Sequence, residues 1–383
     1  MVFVCPRFLI SAITAFYPTL CYDINMFEPH YHITPKITSA LMLIEACRQA
    51  VTDLPIDVTV LQHLRETAAL VTTHFSTQIE GNRLTLPEVQ AVIKGARMPG
   101  RERDEREVRD HFLALGRMEK LAEEPGAVSE ADIQCLHGLV MTGRDKPSPY
   151  RTVQNVIREA ETGSIVYLPP EAHDVPDLMG ELVDWIHREL TEGELPAPIV
   201  AALAHYQFAT IHPYLDGNGR TARLLATLIL RKAGYGLKGI YSLDEHYAKN
   251  LRAYYAALTV GSHNYYEGRA EGDLTPFVSF FCAGMADAFS KVRAAATRAG
   301  KDTTQDQSAL LRELDPRQRR LLDLFRKRGS VTSAEMAVHL KMSPRTLVNL
   351  CREWIASGFV EYQSAARKNR AYRLGARYHR LTD

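Results

Sequence analysis

The chain has 383 residues, of which 46% are hydrophobic and 24% are charged, with a formal net charge of +1. This composition is ordinary for a globular protein, so it excludes a chain that is disordered throughout, and the length allows a large core plus a second domain. The charge is unevenly distributed, because residues 316–383 carry 15 Lys and Arg against 5 Asp and Glu, a net +10 that leaves −9 for the remainder.

The N-terminal 25 residues contain an apolar run from Phe8 to Leu20 that is shorter than a membrane span and lacks a clear small-residue cleavage site. We interpret residues 1–33 as an N-terminal extension and expect no membrane association. Met26 is an alternative start, and a weak signal peptide is the competing interpretation.

The cysteines are dispersed and form no C-x-x-C pair, which argues against a zinc site or a disulfide framework and favours a reducing cytoplasm. They are Cys5, Cys21, Cys47, Cys135, Cys282 and Cys351.

Apolar residues at helical spacing predict a mostly α-helical body over residues 34–298. The predicted helices are Ile37–Val51, Val58–Phe75, Leu86–Ile93, Glu105–Leu121, Ser129–Val140, Asp177–Leu190, Pro198–Phe208, Leu224–Ala233, Tyr247–Leu258 and Leu274–Thr297. The second helix leads into Ser76-Thr77-Gln78-Ile79-Glu80-Gly81-Asn82. If it ends at Gly81, Glu80 lies in its last turn, where a carboxylate opposes the helix dipole and gains from a cationic partner.

Helical periodicity stops between residues 147 and 170. Val153, Val156 and Ile157 precede a turn at Gly163, and a second β-prone run follows it at 165–168. Two such runs around a glycine predict a hairpin over about residues 153–168. The hairpin is either a plain surface element or a flap over a functional site.

The strongest chemical signal is Ile211–Arg223, with the sequence IHPYLDGNGRTAR, between two predicted helices. We expect Gly217 and Gly219 to take positive φ and to turn successive N–H groups toward one point. With the following helix N-terminus they would form an anion cradle for a di- or triphosphate. His212 is the only group of the stretch whose unperturbed pKa lies near neutrality, so it is the candidate general base.

Four further side chains of this stretch suit phosphate and metal binding. Asp216 is a hard oxygen ligand of the kind that Mg²⁺ requires. Arg220 and Arg223 can hold phosphate oxygens through their planar guanidinium groups, and Asn218 adds a neutral donor.

This stretch closely resembles the signature of the Fic domain family, His-Pro-Phe-x-Asp/Glu-Gly-Asn-Gly-Arg-x-x-Arg, with Tyr214 in place of the usual Phe. The resemblance implies a Fic-type helical bundle with a small β-hairpin flap. It also implies transfer of AMP from ATP, with Mg²⁺, to a Ser, Thr or Tyr hydroxyl of a target protein that pairs with the flap, and self-modification as a further outcome. Asn250, Tyr254 and Tyr255 match the family's position for residues lining the adenosine pocket, although an aromatic pair at helical spacing is also typical of a core.

Ser76-x-x-x-Glu80-Gly81-Asn82 resembles the inhibitory motif of Fic proteins, Ser/Thr-x-x-x-Glu-Gly/Asn. Its N-terminal position matches the subgroup whose inhibitory helix, here about residues 57–80, precedes the catalytic core. The resemblance implies that Glu80 pairs with Arg223 and obstructs the position of the ATP γ-phosphate.

Other functions are also considered. The same site could remove AMP or transfer UMP or phosphate, although Gly217 and Gly219 argue against the phosphate-transferring relatives, whose loop is modified where the phosphates sit. The alternative from a different class is a DNA-binding regulator whose body only senses nucleotide.

The C-terminal segment is predicted to be a separate winged helix-turn-helix domain over residues 316–383, preceded by a small, polar linker at 299–315. Its predicted elements are helices at 316–326, 333–340 and 343–357 and paired strands at 358–362 and 370–374. The third helix would face a groove with Arg345 and Asn349, and the wing Arg367–Arg370 would meet phosphates. A basic domain of this kind contacts either DNA or protein.

Overall fold

The computed structural model describes residues 27–303 and 310–382, except for residues 55, 57, 159–162, 262, 263, 271, 312 and 364–370. The predicted extension therefore lies outside the described residues as far as Met26. The described chain divides into two compact units, one of residues 27–42, 69–236 and 242–286 and one of residues 43–68, 237–241 and 287–382. Within these ranges, no helix has both the length and the apolar character needed to cross a membrane.

The body is mostly helical, which confirms the predicted fold class. Its helices are α1 Pro35–Thr52, α2 Val58–Ile79, α3 Leu86–Ile93, α4 Glu102–Glu123, α5 Glu130–Thr142, α6 Val175–Glu192, α7 Ala197–Ile211, α8 Asn218–Lys232, α9 Asp244–Lys249, α10 Leu251–Leu258, α11 Tyr266–Ala270 and α12 Thr275–Thr303.

Three of the predicted helices differ most from the sequence-based expectation. Helix α8 begins at Asn218, ahead of the predicted Leu224. Gly217 adopts the conformation of the N-cap residue, so the helix starts there although the apolar residues begin only at Leu224. The predicted helix over 247–258 is wrong as one element, since Asn250 adopts φ −122° and ψ 37° and separates α9 from α10. Helix α12 continues to Thr303, into the predicted linker, because its alanine-rich end has high helix propensity and contains no proline.

Helix α7 is the central element of the first unit. All of its residues except Ala197 and Ala209 are buried, as expected for a helix that is apolar on every side. Helices α6 and α8 pack along it, and α8 also packs on α4 and α5. The loop from His212 to Gly217 thus joins two of the most buried helices, so the surrounding core fixes its position.

The predicted hairpin is present. Strands β1 Ile157–Arg158 and β2 Ile165–Tyr167 pair antiparallel, with Ile157 opposite Tyr167, and the turn residues 159–162 lie outside the described part of the chain. The end of β2 is fixed by Leu168, whose N–H donates to the Asn264 carbonyl at 2.7 Å and whose carbonyl accepts from the Tyr266 N–H at 3.0 Å.

The C-terminal segment contains the predicted order of elements. They are α13 Pro316–Lys327, β3 Val331–Thr332, α14 Ser333–Leu340, α15 Pro344–Ala356, β4 Val360–Tyr362 and β5 Ala371–Leu374. The strands form an antiparallel sheet in the order β3-β5-β4. A core that includes Phe325, Leu347 and Trp354 lies within this segment, while the predicted wing residues Arg367–Arg370 lie outside the described residues.

Candidate active site

The start of helix α8 has the backbone geometry that the predicted anion cradle requires. Gly217 is the N-cap residue with φ 77°, and a Cβ there would lie 2.6 Å from the Met141 Sδ, so both the conformation and the close packing require glycine. The first N–H groups of a helix have no intrahelical acceptor, and no side chain caps this helix start. These N–H groups and the positive end of the helix dipole are therefore available to an anion.

Gly219 serves a different purpose from the one predicted. It lies in the first turn of α8 and does not adopt positive φ. A Cβ at this position would collide with the Glu80 Oε1 and would lie 3.2 Å from the Arg223 Nη1. Gly219 is thus needed for space, because its missing side chain lets Glu80 approach Arg223.

His212 ends helix α7 in a left-handed conformation, with φ 51° and ψ 59°. Its Nδ1 lies 3.3 Å from the Ala209 carbonyl. Since a carbonyl only accepts, we assign the proton to Nδ1, which leaves the Nε2 lone pair free. Burial lowers the pKa of His212 below its usual 6.5, and the guanidinium of Arg151 acts in the same direction. The imidazole is therefore neutral at pH 7, as a general base must be.

Arg151 holds the His212 loop against the segment that leads into β1. Its Nε donates to the His212 carbonyl at 3.1 Å, its main-chain N–H donates to the Pro213 carbonyl at 2.9 Å, and its Nη1 donates to the Val153 carbonyl at 3.3 Å. The side chain is buried. Sequence reasoning did not identify this role, because Arg151 and His212 are distant in the chain.

The loop is closed internally by Asn218. Its Oδ1 accepts from the Tyr214 N–H at 3.0 Å, and its Nδ2 donates to the Tyr214 carbonyl at 2.8 Å. The side chain therefore fixes the loop, and its predicted role as a donor to phosphate stays a prediction. The departure from the signature at Tyr214 retains an aromatic ring, which stacks on His137 with centroids 3.5 Å apart.

His137 is a second residue that sequence reasoning missed. Its Nε2 lies 2.9 Å from the Asp216 carbonyl, so we assign the Nε2 proton to this bond. Burial lowers the pKa of His137 to about 4, which keeps the ring neutral. His137 thus supports the loop from below through one hydrogen bond and one stacked ring.

Asp216 and Arg220 lie side by side but differ in exposure. The Asp216 carboxylate is mostly exposed and accepts from the Gly217 N–H at 2.6 Å. The Arg220 side chain is only 4% exposed, lies 3.7 Å from Asp216 and contacts the Met141 Sδ at 3.8 Å. One exposed carboxylate suits Mg²⁺, which takes most of its ligands from phosphates and water. No cluster of three or more potential metal ligands exists among the residues that the structure describes.

Arg223 is the most strongly held cation of the site. Its Nη2 donates to the Glu80 Oε1 at 3.0 Å and to the Ser76 carbonyl at 2.9 Å, and its Nε lies 3.1 Å from the Ser76 Oγ and 3.0 Å from the Asp244 Oδ1. Burial disfavours the charged guanidinium, but the two carboxylates outweigh it and raise its pKa. The expected pairing of Glu80 with Arg223 is therefore present, and Asp244 is a further partner that sequence reasoning missed.

A cavity of about 640 Å³ adjoins these groups. Its lining residues are Glu80, Ile157, Arg158, Val166, Tyr167, Ala209, Thr210, His212, Asn218, Gly219, Arg223, Tyr254, Tyr255, Ala256, Leu258, Thr259 and Arg269. Of the predicted adenosine-pocket residues, Tyr254 and Tyr255 line it. Asn250 is exposed at the junction of α9 and α10 and is not among the lining residues, because the break in the helix turns it away.

Comparison with known proteins gives consistent results. A model of the Fic/DOC family matches residues 127–230. The chain is 33% identical over 223 residues to the protein adenylyltransferase fic-1 of Caenorhabditis briggsae, covering 57% of this chain and 39% of that protein. It is 32% identical over 243 residues to the Caenorhabditis elegans protein of the same name, covering 61% and 44%. The chain thus spans less than half the length of these curated relatives.

Solved structures agree with this result. A Fic family protein from Desulfovibrio desulfuricans G20 is 28% identical, with a TM-score of 0.61, and the match covers 91% of this chain and 99% of that one. A fragment of Fic-1 from C. elegans is 25% identical, with a TM-score of 0.55, and the match covers 69% and 73%.

Proposed function

We propose that the protein, whose residues 127–230 match the model of the Fic/DOC family, transfers AMP from ATP to a hydroxyl group of a protein. The adenylyltransferase relatives support this activity. The single observation that carries the proposal is the position of a neutral His212 beside the uncapped start of helix α8, because a base and an anion cradle are the two parts that phosphoryl transfer from ATP requires.

In this mechanism a target Ser, Thr or Tyr hydroxyl oxygen attacks the α-phosphorus. The new O–P bond forms as the bond to the bridging oxygen breaks, and pyrophosphate leaves with the electron pair. The Nε2 of His212 takes the hydroxyl proton. The N–H groups at the start of α8 bind the phosphate oxygens on which charge develops, so the protein contributes mainly position and electrostatic stabilisation.

The exposed Asp216 carboxylate would hold Mg²⁺, which supplies charge neutralisation on the α- and β-phosphates. The buried guanidinium of Arg220 lies 3.7 Å from the Asp216 carboxylate and attracts it through its positive charge. Arg223 lines the cavity and would bind the terminal phosphate through its Nη2.

The proposal includes inhibition by Glu80. Its carboxylate occupies the Nη2 of Arg223 at 3.0 Å, which is the group that the terminal phosphate would use. ATP that enters beside this carboxylate meets like charge and loses its arginine, so its α-phosphate is misaligned for attack by the hydroxyl. Arg223 also contacts Ser76 in α2, which ends at Ile79 directly before Glu80, and this contact supports a regulatory role for α2.

The target would bind along the hairpin. Ile165 and Val166 on β2 are 46% and 41% exposed and point to opposite faces of the strand, so a strand added at the edge would find an exposed apolar side chain on either face. The described cysteines are free thiols, consistent with our placement of the enzyme in a reducing cytoplasm.

The experiment for the enzymatic proposal uses the protein as its own acceptor. The Glu80→Gly variant is incubated with ATP labelled on the α-phosphate or on the γ-phosphate, and covalent label is counted. We expect label only from the α-phosphate, together with a mass increase of one AMP group. Label from the γ-phosphate would instead indicate phosphate transfer, and tight ATP binding without any label would favour the nucleotide-sensing regulator.

For the C-terminal segment we propose a winged helix domain that contacts DNA. On α15, Arg345, Asn349 and Arg352 are exposed on one face, and the segment carries a net charge of +10 over residues 316–383. Binding to duplex DNA should weaken steeply with salt, and Arg345→Ala should reduce it. A segment that shows no salt-dependent DNA binding would instead act as a docking module for an acidic protein.

A further inference from the structure

Arg269 is a buried cation in the cavity wall that the mechanism does not use. It lies on α11, is 7% exposed, and lines the cavity beside Leu258 and Thr259. Its Nε has no hydrogen-bond partner, and its Nη1 reaches the Leu258 carbonyl only at 3.4 Å, a weak bond. Among the described residues no carboxylate forms an ion pair with it. A guanidinium that is removed from water normally has a carboxylate or several acceptors, so this group has donors to spare.

The charge of Arg269 is compensated mainly by an aromatic face. The guanidinium carbon lies 3.9 Å from the ring centroid of Tyr167, which belongs to β2 of the hairpin. The Tyr167 hydroxyl donates to the Thr210 carbonyl at 2.8 Å, so the ring is fixed. A cation–π contact balances charge without using the N–H groups in the guanidinium plane. These N–H groups remain available to an acceptor in the cavity.

The position of Arg269 relative to the phosphate groups follows from helix α10. Tyr254, near the start of α10, is close enough to Arg223 for the two side chains to interact. Leu258, to which Arg269 is bonded, lies four residues later, or about 6 Å along the helix axis. In a nucleotide the base is the end opposite the terminal phosphate. Arg269 is therefore at the base end of the cavity if Arg223 is at the phosphate end.

The chemistry of this end suits an aromatic ring. Val166, Tyr167 and Leu258 provide an apolar and aromatic lining, and Arg269 adds a side chain that can donate but cannot accept hydrogen bonds. We propose that Arg269 donates a hydrogen bond to a ring nitrogen of the purine base and thereby holds the base in the cavity. This inference rests on the proposed function, because it assumes that the cavity binds a nucleotide.

The test measures equilibrium binding to the full chain by calorimetry. ADP is the probe because it is not ATP, the proposed donor of AMP, and because it lacks the γ-phosphate that Glu80 opposes. Dissociation constants are compared for ADP and its 1-deaza, 3-deaza and 7-deaza analogues, each of which replaces one ring nitrogen by CH. Wild type should bind one analogue roughly 10-fold more weakly than ADP, the loss expected for a bond to a charged donor. In Arg269→Met the same replacement should cost less than about 2-fold, since the partner is gone.

Matched variants separate this role from a structural one. Arg158→Gln removes another cavity-lining arginine, which donates to the Gly163 carbonyl, and should retain the full penalty of wild type. Arg269→Lys keeps the charge over Tyr167 but loses the planar group, so its penalty should fall, and it carries the test if Arg269→Met does not fold. Equal penalties in wild type and the Arg269 variants would overturn the inference while leaving the nucleotide site intact. Failure of wild type to bind either ADP or ATP would instead refute the proposed function.

Discussion

Glu80→Gly should strongly activate AMP transfer, and the partners of Arg223 explain why. The substitution removes one carboxylate from the Nη2 of Arg223 but leaves the Ser76 carbonyl at 2.9 Å, the Ser76 Oγ at 3.1 Å and the Asp244 carboxylate at 3.0 Å. The guanidinium therefore keeps its orientation and its counter-ion. The position beside Nη2 becomes free for a phosphate oxygen.

The size of the effect follows from alignment. The Glu80 carboxylate occupies one hydrogen-bonding position next to Arg223, so a terminal phosphate in its presence must shift away from the Nη2 of Arg223. A displacement of about 1 Å at the reacting atoms costs on the order of 10²-fold in rate, and we expect Glu80→Gly to recover about that factor. The loss of one charged hydrogen bond should lower the free energy of unfolding by no more than about 2 kcal/mol, because Asp244 still neutralises the buried cation.

The assay is the initial rate of incorporation of α-labelled AMP into the protein itself. Wild type, Glu80→Gly, Glu80→Gln and the double variant Glu80→Gly/His212→Ala are compared at equal ATP occupancy. Glu80→Gln removes the charge but keeps most of the volume, so its rate should lie between those of wild type and Glu80→Gly. If Glu80→Gly binds ATP but is no faster than wild type, the inhibitory role is refuted. Activity in the double variant would refute the role of His212 as the base.

Four further predictions concern the base, the buried ion pair, the buried His137 and the domain boundary. His212→Ala should lower the transfer rate by about 10²–10⁴-fold without weakening ADP binding. Because burial lowers the pKa of His212, the rate of Glu80→Gly should start to fall only when the pH is lowered beyond 6.5. A midpoint above 6.5 in a pH–rate profile would contradict this. Asp244→Asn in the Glu80→Gly background should raise KM for ATP about 10-fold with little change in ADP affinity, because Arg223 then loses its orientation toward the terminal phosphate. Equal losses of affinity for ATP and ADP would argue that Asp244 has a merely structural role. His137 has a pKa of about 4 in the fold and about 6.5 when unfolded, so the unfolded form binds the extra proton between these values. Its contribution to the free energy of unfolding should be complete above pH 6.5 and fall by about 1.4 kcal/mol per pH unit from 6.5 to 4, so His137→Gln should show a slope shallower than wild type by about that amount in urea titrations. Deletion of residues 308–383 should leave a folded, nucleotide-binding body, because the core cluster of the C-terminal segment, which extends from Leu314 to Leu381, lies entirely within the deleted residues. Loss of cooperative unfolding would show that the boundary is misplaced.

Several features were predictable from the sequence because they depend on neighbouring residues. Apolar spacing located most of the helices, including the one predicted to start at Ser129, which is the N-cap of α5 and whose Oγ accepts from the Asp132 N–H. The base, the cradle and the arginines lie within one stretch from His212 to Arg223, so their proximity needed no knowledge of the fold. The hairpin was also predictable, since two short β-prone runs around Gly163 are a local signal.

The pairing of Glu80 with Arg223 was predicted by family resemblance and not by a local pattern, because the two residues are 143 positions apart in the chain. Local pattern also gave the wrong reason for Gly219, because turn chemistry suggested positive φ, whereas the structure requires space for Glu80. The start of α8 and the end of α12 differ from their predicted positions because a helix extends wherever caps and helix propensity allow, even where apolar periodicity is weak.

The tertiary structure alone decided which other residues act on the site. Arg151 reaches the His212 carbonyl across 61 residues of sequence, and His137 reaches the Asp216 carbonyl across 79. Asp244 and Arg269 gain their importance only from burial beside Arg223 and in the cavity wall. A sequence states which groups can donate or accept hydrogen bonds, but the cost of leaving a charge unpaired depends on whether water can reach it, and only the packing of the helices determines that.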